Sequence, residues 1–453
     1  MILPENSKSE PVRIPIKKTN FRWWIAALIF VVYTIATADR ANLGVALPYI
    51  QKEFGISNTE AGTLVSLLFF GYAASQIPGS FIVKRFGVRK VLPTSMFFTS
   101  IFTALMATTS SMPFLKFFRV GLGVSEGPLP IACTTTINNW FPSKEKGTVT
   151  GLYLAASKFG PVIVPVISVI IIEIYGWREI FLLFAIPGII LALVWYFIIP
   201  NKPSESKFCS LEESQYIENE QTAEKKHTDT YNTKKSPLWL DKLIRVKKVN
   251  YLKSVSEVFR SWNIIGNALG YLFMVGIVNV IMSWIPTYLI TEKHFTSVKM
   301  GFLASAPFMG AVVGNLIGGW ISDRLLSKRR KPLMLLSALC TSFMMYSLIY
   351  APNNSILLGI LLFTTGLLLN LGYSAFSVYS MGVTTKETYP IAYGIVNTGG
   401  QIGGAVAPLL VGIILDSYNW HIVFIFLSIC SILSLLIIST IDEPIDDTDI
   451  ETV

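Results

Sequence analysis

The chain has 453 residues, 52% of them hydrophobic and only 14% charged, with a mean hydropathy of +0.54. That composition excludes an ordinary soluble domain and points to an integral membrane protein. The net charge of +9 then reads as basic cytoplasmic loops rather than a nucleic-acid surface, and the scattered cysteines and histidines outline neither a disulfide framework nor a metal cluster, so no cofactor is expected.

Residues 1–22 are polar and basic and are assigned to a cytoplasmic N-terminal segment. The apolar run beginning at Trp23 lacks a small-residue cleavage site and continues to spanning length, so it is expected to remain as an anchor. At about 20 apolar residues per crossing, spans fall near 23–49, 60–83, 91–110, 114–138, 148–173 and 178–199, which gives an N-terminal six-helix bundle over 23–199. Residues 200–258 are polar and mixed in charge, with a helix-compatible stretch from Ser210 to Lys226; they read as a cytoplasmic linker. Six further spans, near 263–290, 299–322, 332–351, 354–382, 390–415 and 420–440, make a second bundle over 259–441, and the long tenth one has room for a break. The acidic tail, 442–453, reads as disordered.

Basic residues alternate between loops. Lys17, Lys18, Arg22, Lys84, Arg85, Arg89, Lys90, Lys144, Lys146, Lys328 to Lys331 and Lys386 all fall on one side, which is therefore cytoplasmic and places both termini inside. The halves also repeat each other: Gly79-Ser-Phe-Ile-Val-Lys84-Arg85-Phe-Gly87-Val-Arg89-Lys90 is echoed by Gly318-Gly-Trp-Ile-Ser-Asp323-Arg324, and Gly151, Lys158 and Pro165 by Gly394, Gln401 and Pro408. The expected fold is all-α: twelve transmembrane helices in two pseudo-symmetric six-helix bundles around a central cavity.

The fourth span holds the most informative residues. Arg119 and Glu126 lie seven residues apart, two turns and so one helical face. A charge near the bilayer centre costs about 3 kcal/mol on insertion scales, so such groups normally face an internal pathway. Gly121, Gly123, Gly127, Pro128 and Pro130 loosen the backbone and admit close neighbours. Asp39, Arg40 and Lys158 are also ionisable residues inside spans, and the five offset one another if they meet in one chamber. Such a chamber would couple the movement of a proton to that of an anion; the other reading is a static ion network holding the helices together. Arginine's planar fork makes Arg40 the first choice for a substrate carboxylate. Lys158 sits too deep to snorkel, so it is either a pole for a second carboxylate or a partner of Glu126 or Asp39. Asn397 and Gln401, one turn apart, and Asn370, Ser374 and Ser377 would hydrogen-bond sugar hydroxyls or join helices.

Asp39-Arg40-Ala-Asn42-Leu43-Gly-Val-Ala in span one, Arg119-x-x-x-Gly123-x-x-Glu126-Gly127 in span four, and Ser283-Trp284-Ile-Pro286-Thr-Tyr288 closing span seven are the most specific motifs. With the two six-span halves and their Gly-rich basic loops, the chain resembles the major facilitator superfamily, and within it the anion:cation symporter family of bacterial sugar-acid transporters and vesicular glutamate and lysosomal sialic acid carriers. The resemblance implies protonation at Asp39 and Glu126, substrate binding or its coupling at Arg40 and Arg119, and a ligand-directed hydroxyl at Tyr72. It further implies gating by Gly79, Arg85, Gly87 and Arg89, and by Asp323 and Arg324 in the second half. Lys84 stands where the first loop motif usually has an acid, which leaves Asp323 to carry more of the latch.

The expected function is import of a small organic anion, a sugar acid such as a hexuronate, aldonate or aldarate, by proton symport with alternating access. An anion exchanger, or a carrier of aromatic carboxylates such as phthalate-like acids, is the alternative. No nucleophile–base pair, metal-ligand cluster or nucleotide loop is present to suggest an enzyme. The expected setting is the cell membrane, multi-pass, with lipid, protons and the anion as partners, and superfamily members usually act as monomers.

Overall fold

The structure, a computed structural model, describes residues 19–224, 244–248, 250–326, 329–385 and 387–445. The expectations placed on Lys17, Lys18, Lys328, Lys386, the middle of the polar segment and most of the acidic tail lie outside the described residues.

The first half contains α1 (Phe21–Phe54), α2 (Asn58–Phe86), α3 (Val88–Thr108), α4 (Met112–Glu126), α5 (Leu129–Trp140), α6 (Ser143–Tyr175) and α7 (Trp177–Ile198). After α8 (Leu211–Glu224) and α9 (Val255–Arg260) come α10 (Trp262–Thr291), α11 (Ser297–Trp320), α12 (Lys331–Ser347), α13 (Ser355–Leu371), α14 (Tyr373–Val383), α15 (Tyr389–Ser417) and α16 (Trp420–Thr440). Among the described residues, 11 segments are long and apolar enough to cross a membrane alone, and α4 with α5 supplies a further crossing in two pieces. The expected single fourth helix is thus interrupted at Gly127–Pro128, where Pro128 and Pro130 have no amide to donate to the turn before. The tenth crossing breaks too, between α13 and α14 at Gly372.

The same three pairings build each half. In the first, α1 packs on α6, α2 on α4 and α3 on α7; in the second, α10 packs on α15, α11 on α13 and α12 on α16. The halves meet where α1 lies against α10, α2 against α15 and α6 against α11. At the first seam the backbones touch: a side chain on Gly44 would run into the Met282 carbonyl and the Ser283 Cα.

Polar groups finish the helix ends in parallel ways. Asn201, just beyond α7, accepts the Arg89 amide through Oδ1 at 3.0 Å and so caps α3. Gly87 makes the turn before it with φ of 77°, and a Cβ there would strike Asn201. In the second half Glu443, just beyond α16, accepts the amides of Arg330 and Lys331 at 2.9 and 2.8 Å and caps α12.

The polar segment is docked at both ends rather than free in solvent. Glu213 of α8 is fully buried. Its carboxylate accepts from the Thr19 hydroxyl at 2.6 Å, the Phe21 amide at 3.0 Å and Arg22 Nη1 at 2.9 Å, while Arg22 Nε also grips Glu145 at 2.8 Å. Burial pushes the Glu213 carboxyl up, but these hydrogen bonds outweigh it and hold the group below the usual carboxylate range. At the far end β1 (Val246–Lys248) pairs in parallel with β2 (Glu443–Ile445), and Arg245 meets Asp442 at 2.7 Å. The start of the acidic tail is therefore ordered by pairing, contrary to the composition-based expectation.

The two ends of the central axis differ. At the end carrying the α1–α2 and α15–α16 turns, Asp416 of α15 accepts the first two amides of α2, from Asn58 and Thr59, both at 2.8 Å, and Tyr49 Oη bonds Ser297 Oγ at 2.8 Å. These bonds join the halves. At the opposite end Arg89 rests over Tyr196 and Asp323 pairs with Arg330 at 2.9 Å, both within one half.

Candidate substrate and proton site

The charged residues of spans one and four do converge. Arg40 Nε donates to Glu126 Oε2 at 2.7 Å, from α1 to α4, and the Arg40 guanidinium lies 4.5 Å over the Tyr72 ring of α2. Glu126, Asp39 and Arg119 are almost completely buried, and Arg40 is nearly so. Arg119 Nε donates to the Leu64 carbonyl of α2 at 3.2 Å, and Asp39 stands beside Thr103 of α3 and within reach of Arg119, Arg40 and Glu126.

The arrangement leaves polar atoms unmatched. Both carboxylate oxygens of Asp39, Glu126 Oε1 and Arg119 Nη1 are buried with no hydrogen-bond partner among the protein groups described. Buried polar atoms are paired in the great majority of cases, and a static structural network would be expected to satisfy itself. The cluster thus holds two acids and two arginines with spare donors and acceptors facing one another.

Lys158 does not join that cluster. Its Nζ lies 4.5 Å over the ring of Tyr373 on α14, across the seam between the halves, and none of the ion pairs found among the described residues links it to Glu126 or Asp39. It also borders a small cavity with Val278, Phe308, Gly366 and Asn370, whose Asn370 Oδ1 is buried without a partner. Asn397 of α15 donates to Gln76 Oε1 of α2 at 2.8 Å, a bond between the halves. Gln401 lies one turn further along, partly exposed.

The loop residues are placed as follows. Gly79 packs against Pro128, next to the interruption in the fourth crossing. Arg85 lies over the Phe86 ring, and Gly87 and Arg89 anchor on Asn201. Asp323 and Arg324 are exposed at the end of α11, and the partner of Asp323 is Arg330 of its own loop.

Sequence reading named Tyr72 but missed the tyrosines around it. Tyr33 and Tyr153 have ring centroids 4.3 Å apart, and Tyr271 and Tyr373 5.2 Å apart, so with Tyr72 they place tyrosines of α1, α2, α6, α10 and α14 about the arginine and lysine. The signal was their depth: tyrosines usually mark membrane interfaces, and Tyr33 lies two turns from Arg40 on the same face of α1. Gln76 was missed as well, being one more amide in an apolar helix.

The family profile described as Major Facilitator Superfamily matches residues 29–381 and 268–451. The chain is 28% identical over 426 residues to the "Probable galactarate/D-glucarate transporter GarP" of Escherichia coli (strain K12), covering 90% of this chain and 92% of that one. It is 26% identical over 458 residues to the "Probable galactarate/D-glucarate transporter GudP" of Bacillus subtilis (strain 168), covering 93% and 92%, and 26% identical over 422 residues to the "D-galactonate transporter" of Escherichia coli O6:H1, covering 92% and 94%. Among solved structures, a bacterial homolog of the human lysosomal transporter Spinster in an inward-facing, occupied conformation superposes with a TM-score of 0.71 at 14% identity, over 93% of this chain and 96% of that one. A D-xylose-proton symporter does so with a TM-score of 0.71 at 16% identity, over 93% and 98%. Since the profile spans nearly the whole chain and the twelve-helix fold is shared, the protein belongs to the Major Facilitator Superfamily and is a multi-pass membrane transporter.

Proposed function

We propose that the protein imports a sugar acid together with protons, by alternating access around the chamber between its halves. The observation that carries this reading is the buried Arg40–Glu126 pair at 2.7 Å, beside an Asp39 whose carboxylate oxygens have no partner. A carboxylate substrate competes with Glu126 for the Arg40 fork, and a proton on Glu126 releases that fork. Proton and anion then load together, because each removes what opposes the other. Relatives named for galactarate, D-glucarate and galactonate support the substrate class.

In this scheme Asp39 and Glu126 carry the proton; Arg40 and Arg119 hold or sense the carboxylate; Tyr72, Asn397 and Gln401 meet the hydroxyls. Gly79, Arg85, Gly87, Arg89, Asp323 and Arg324 serve the gate at the basic-loop end. The termini lie on the cytoplasmic side of the cell membrane and the monomer is the working unit. Uptake of labelled galactarate and D-galactonate into proteoliposomes tests the scheme. Accumulation that requires an inward pH gradient is expected, whereas equal uptake without the gradient, stimulated by anion inside, would establish exchange instead.

A further inference from the structure

We infer that Lys158 is the second pole of a two-ended site, which makes the carrier selective for dicarboxylates over monocarboxylates. The inference rests on the sugar-acid reading above and narrows its substrate class.

The charges set the argument. Asp39, Arg40, Arg119, Glu126 and Lys158 are all in the interior of the spans, three cations against two acids. Arg40 is matched by Glu126, and Arg119 lies within reach of Asp39 and Glu126. Among the described residues Lys158 has no ion pair; it lies over the Tyr373 ring and borders the small cavity that holds Asn370. A cation over an aromatic face recovers less than an ammonium loses on leaving water. The difference is an incentive to take an anion.

Position favours a ligand that reaches both cations. Gly160 packs against Thr34, Thr37 and Ala38, so this part of α6 lies alongside the α1 turn that leads to Arg40. At 1.5 Å per residue, Lys158 and Arg40 sit roughly one to two turns apart along the axes of the paired helices, about 6–12 Å. Each cation rests on an aromatic face, Lys158 over the Tyr373 ring and Arg40 over the Tyr72 ring, both at 4.5 Å.

Charge balance then separates the substrates. With one of the two acids protonated, the five side chains sum to +2, which a dianion neutralises. A monoanion leaves one positive charge inside a low-dielectric chamber and forfeits the Lys158 contact. Lys158 also stands on a helix of one half against a ring of the other, so a dianion spanning Arg40 and Lys158 bears on the seam itself.

The test is initial-rate uptake of labelled galactarate and D-galactonate in proteoliposomes under a fixed inward pH gradient. Wild type is expected to show a KM for galactarate about tenfold below that for D-galactonate, as one added charge-assisted contact warrants. Lys158→Gln removes that difference by raising the galactarate KM alone, and Lys158→Arg restores it. A Lys158→Gln variant that shifts both KM values together, or neither, overturns the inference, as does a wild type that prefers D-galactonate. A ligand-side arm needs no variant: galactaric acid monolactone, with one carboxylate masked, should compete like D-galactonate, and competition equal to galactarate overturns the inference. Uptake of neither acid by wild type removes the sugar-acid reading itself, an outcome distinct from uptake of both without discrimination.

Discussion

The two halves share their helix pairings but divide the chemistry. The first holds Asp39, Arg40, Arg119, Glu126 and Lys158, whereas the matching faces of the second present Asn370, Asn397, Gln401 and tyrosines. Even the interrupted crossings differ: α4 carries an arginine and an acid up to its break, while α13 ends on Asn370, whose amide donates to its own helix at Gly366. A repeat therefore does not require duplicated function. On the function proposed above, the first half would handle charge and protons and the second would supply shape and neutral hydrogen bonds.

The division is broken most severely at Glu126. Glu126→Gln keeps a partner for Arg40 but no proton to exchange, so pH-driven accumulation should fall on the order of a hundredfold, the upper range of coupling between sites, while exchange of labelled for unlabelled galactarate persists. Accumulation that survives would place proton handling elsewhere. On the neutral side Asn397→Ala removes one hydrogen bond to Gln76 or to ligand and should raise KM about fivefold, near 1 kcal/mol, with the pH profile unmoved; a shifted pH profile would blur the contrast between halves.

The seam between halves is tested at Asp416. Asp416→Ala removes the acceptor for the first two amides of α2 and leaves Ser57 as its remaining cap, a loss of about 1 kcal/mol. It should raise the labelling rate of a cysteine placed at Gln51 by roughly fivefold as the halves part more often at that end. Within the first half, the thiol of Cys209 is pushed up to about 12 by its burial and the neighbouring Glu213 carboxylate, so maleimide labelling should be slow near neutral pH. Glu213→Gln should speed it several-fold. Because the Glu213 carboxyl is held low, α8 docking is present above the ordinary glutamate value near 4.5 and is lost only as pH falls through the lowered value. The smallest effect on stability belongs to Asp323→Asn, under about 1 kcal/mol for an exposed pair. Its informative readout is turnover: an unaltered rate removes Asp323 from the gate.

Much of this was legible in the sequence because lipid enforces a simple code. Apolar runs of spanning length anticipated the 11 long apolar helices, and the cost of burying Arg119 and Glu126 in one segment pointed to a shared cluster. The four charges of spans one and four meet as their shared depth suggested. What the sequence concealed was pairing: nothing in spacing says that Arg40 faces Glu126 rather than its neighbour Asp39, or that Lys158 reaches across to Tyr373. The tyrosines were hidden because aromatic residues are common throughout such helices. The sequence marked the helix-compatible stretch at the start of the polar segment, but its average composition masked the single residues that dock it, Glu213 and Ile217.

The caps at Asn201 and Glu443 have a further consequence. In each half, the chain leaving the last helix returns to fasten the third, so a six-helix unit is locked by its own strand of polypeptide. Each unit is thus closed on itself at the end of its last helix before it meets the other along the α1–α10, α2–α15 and α6–α11 seams.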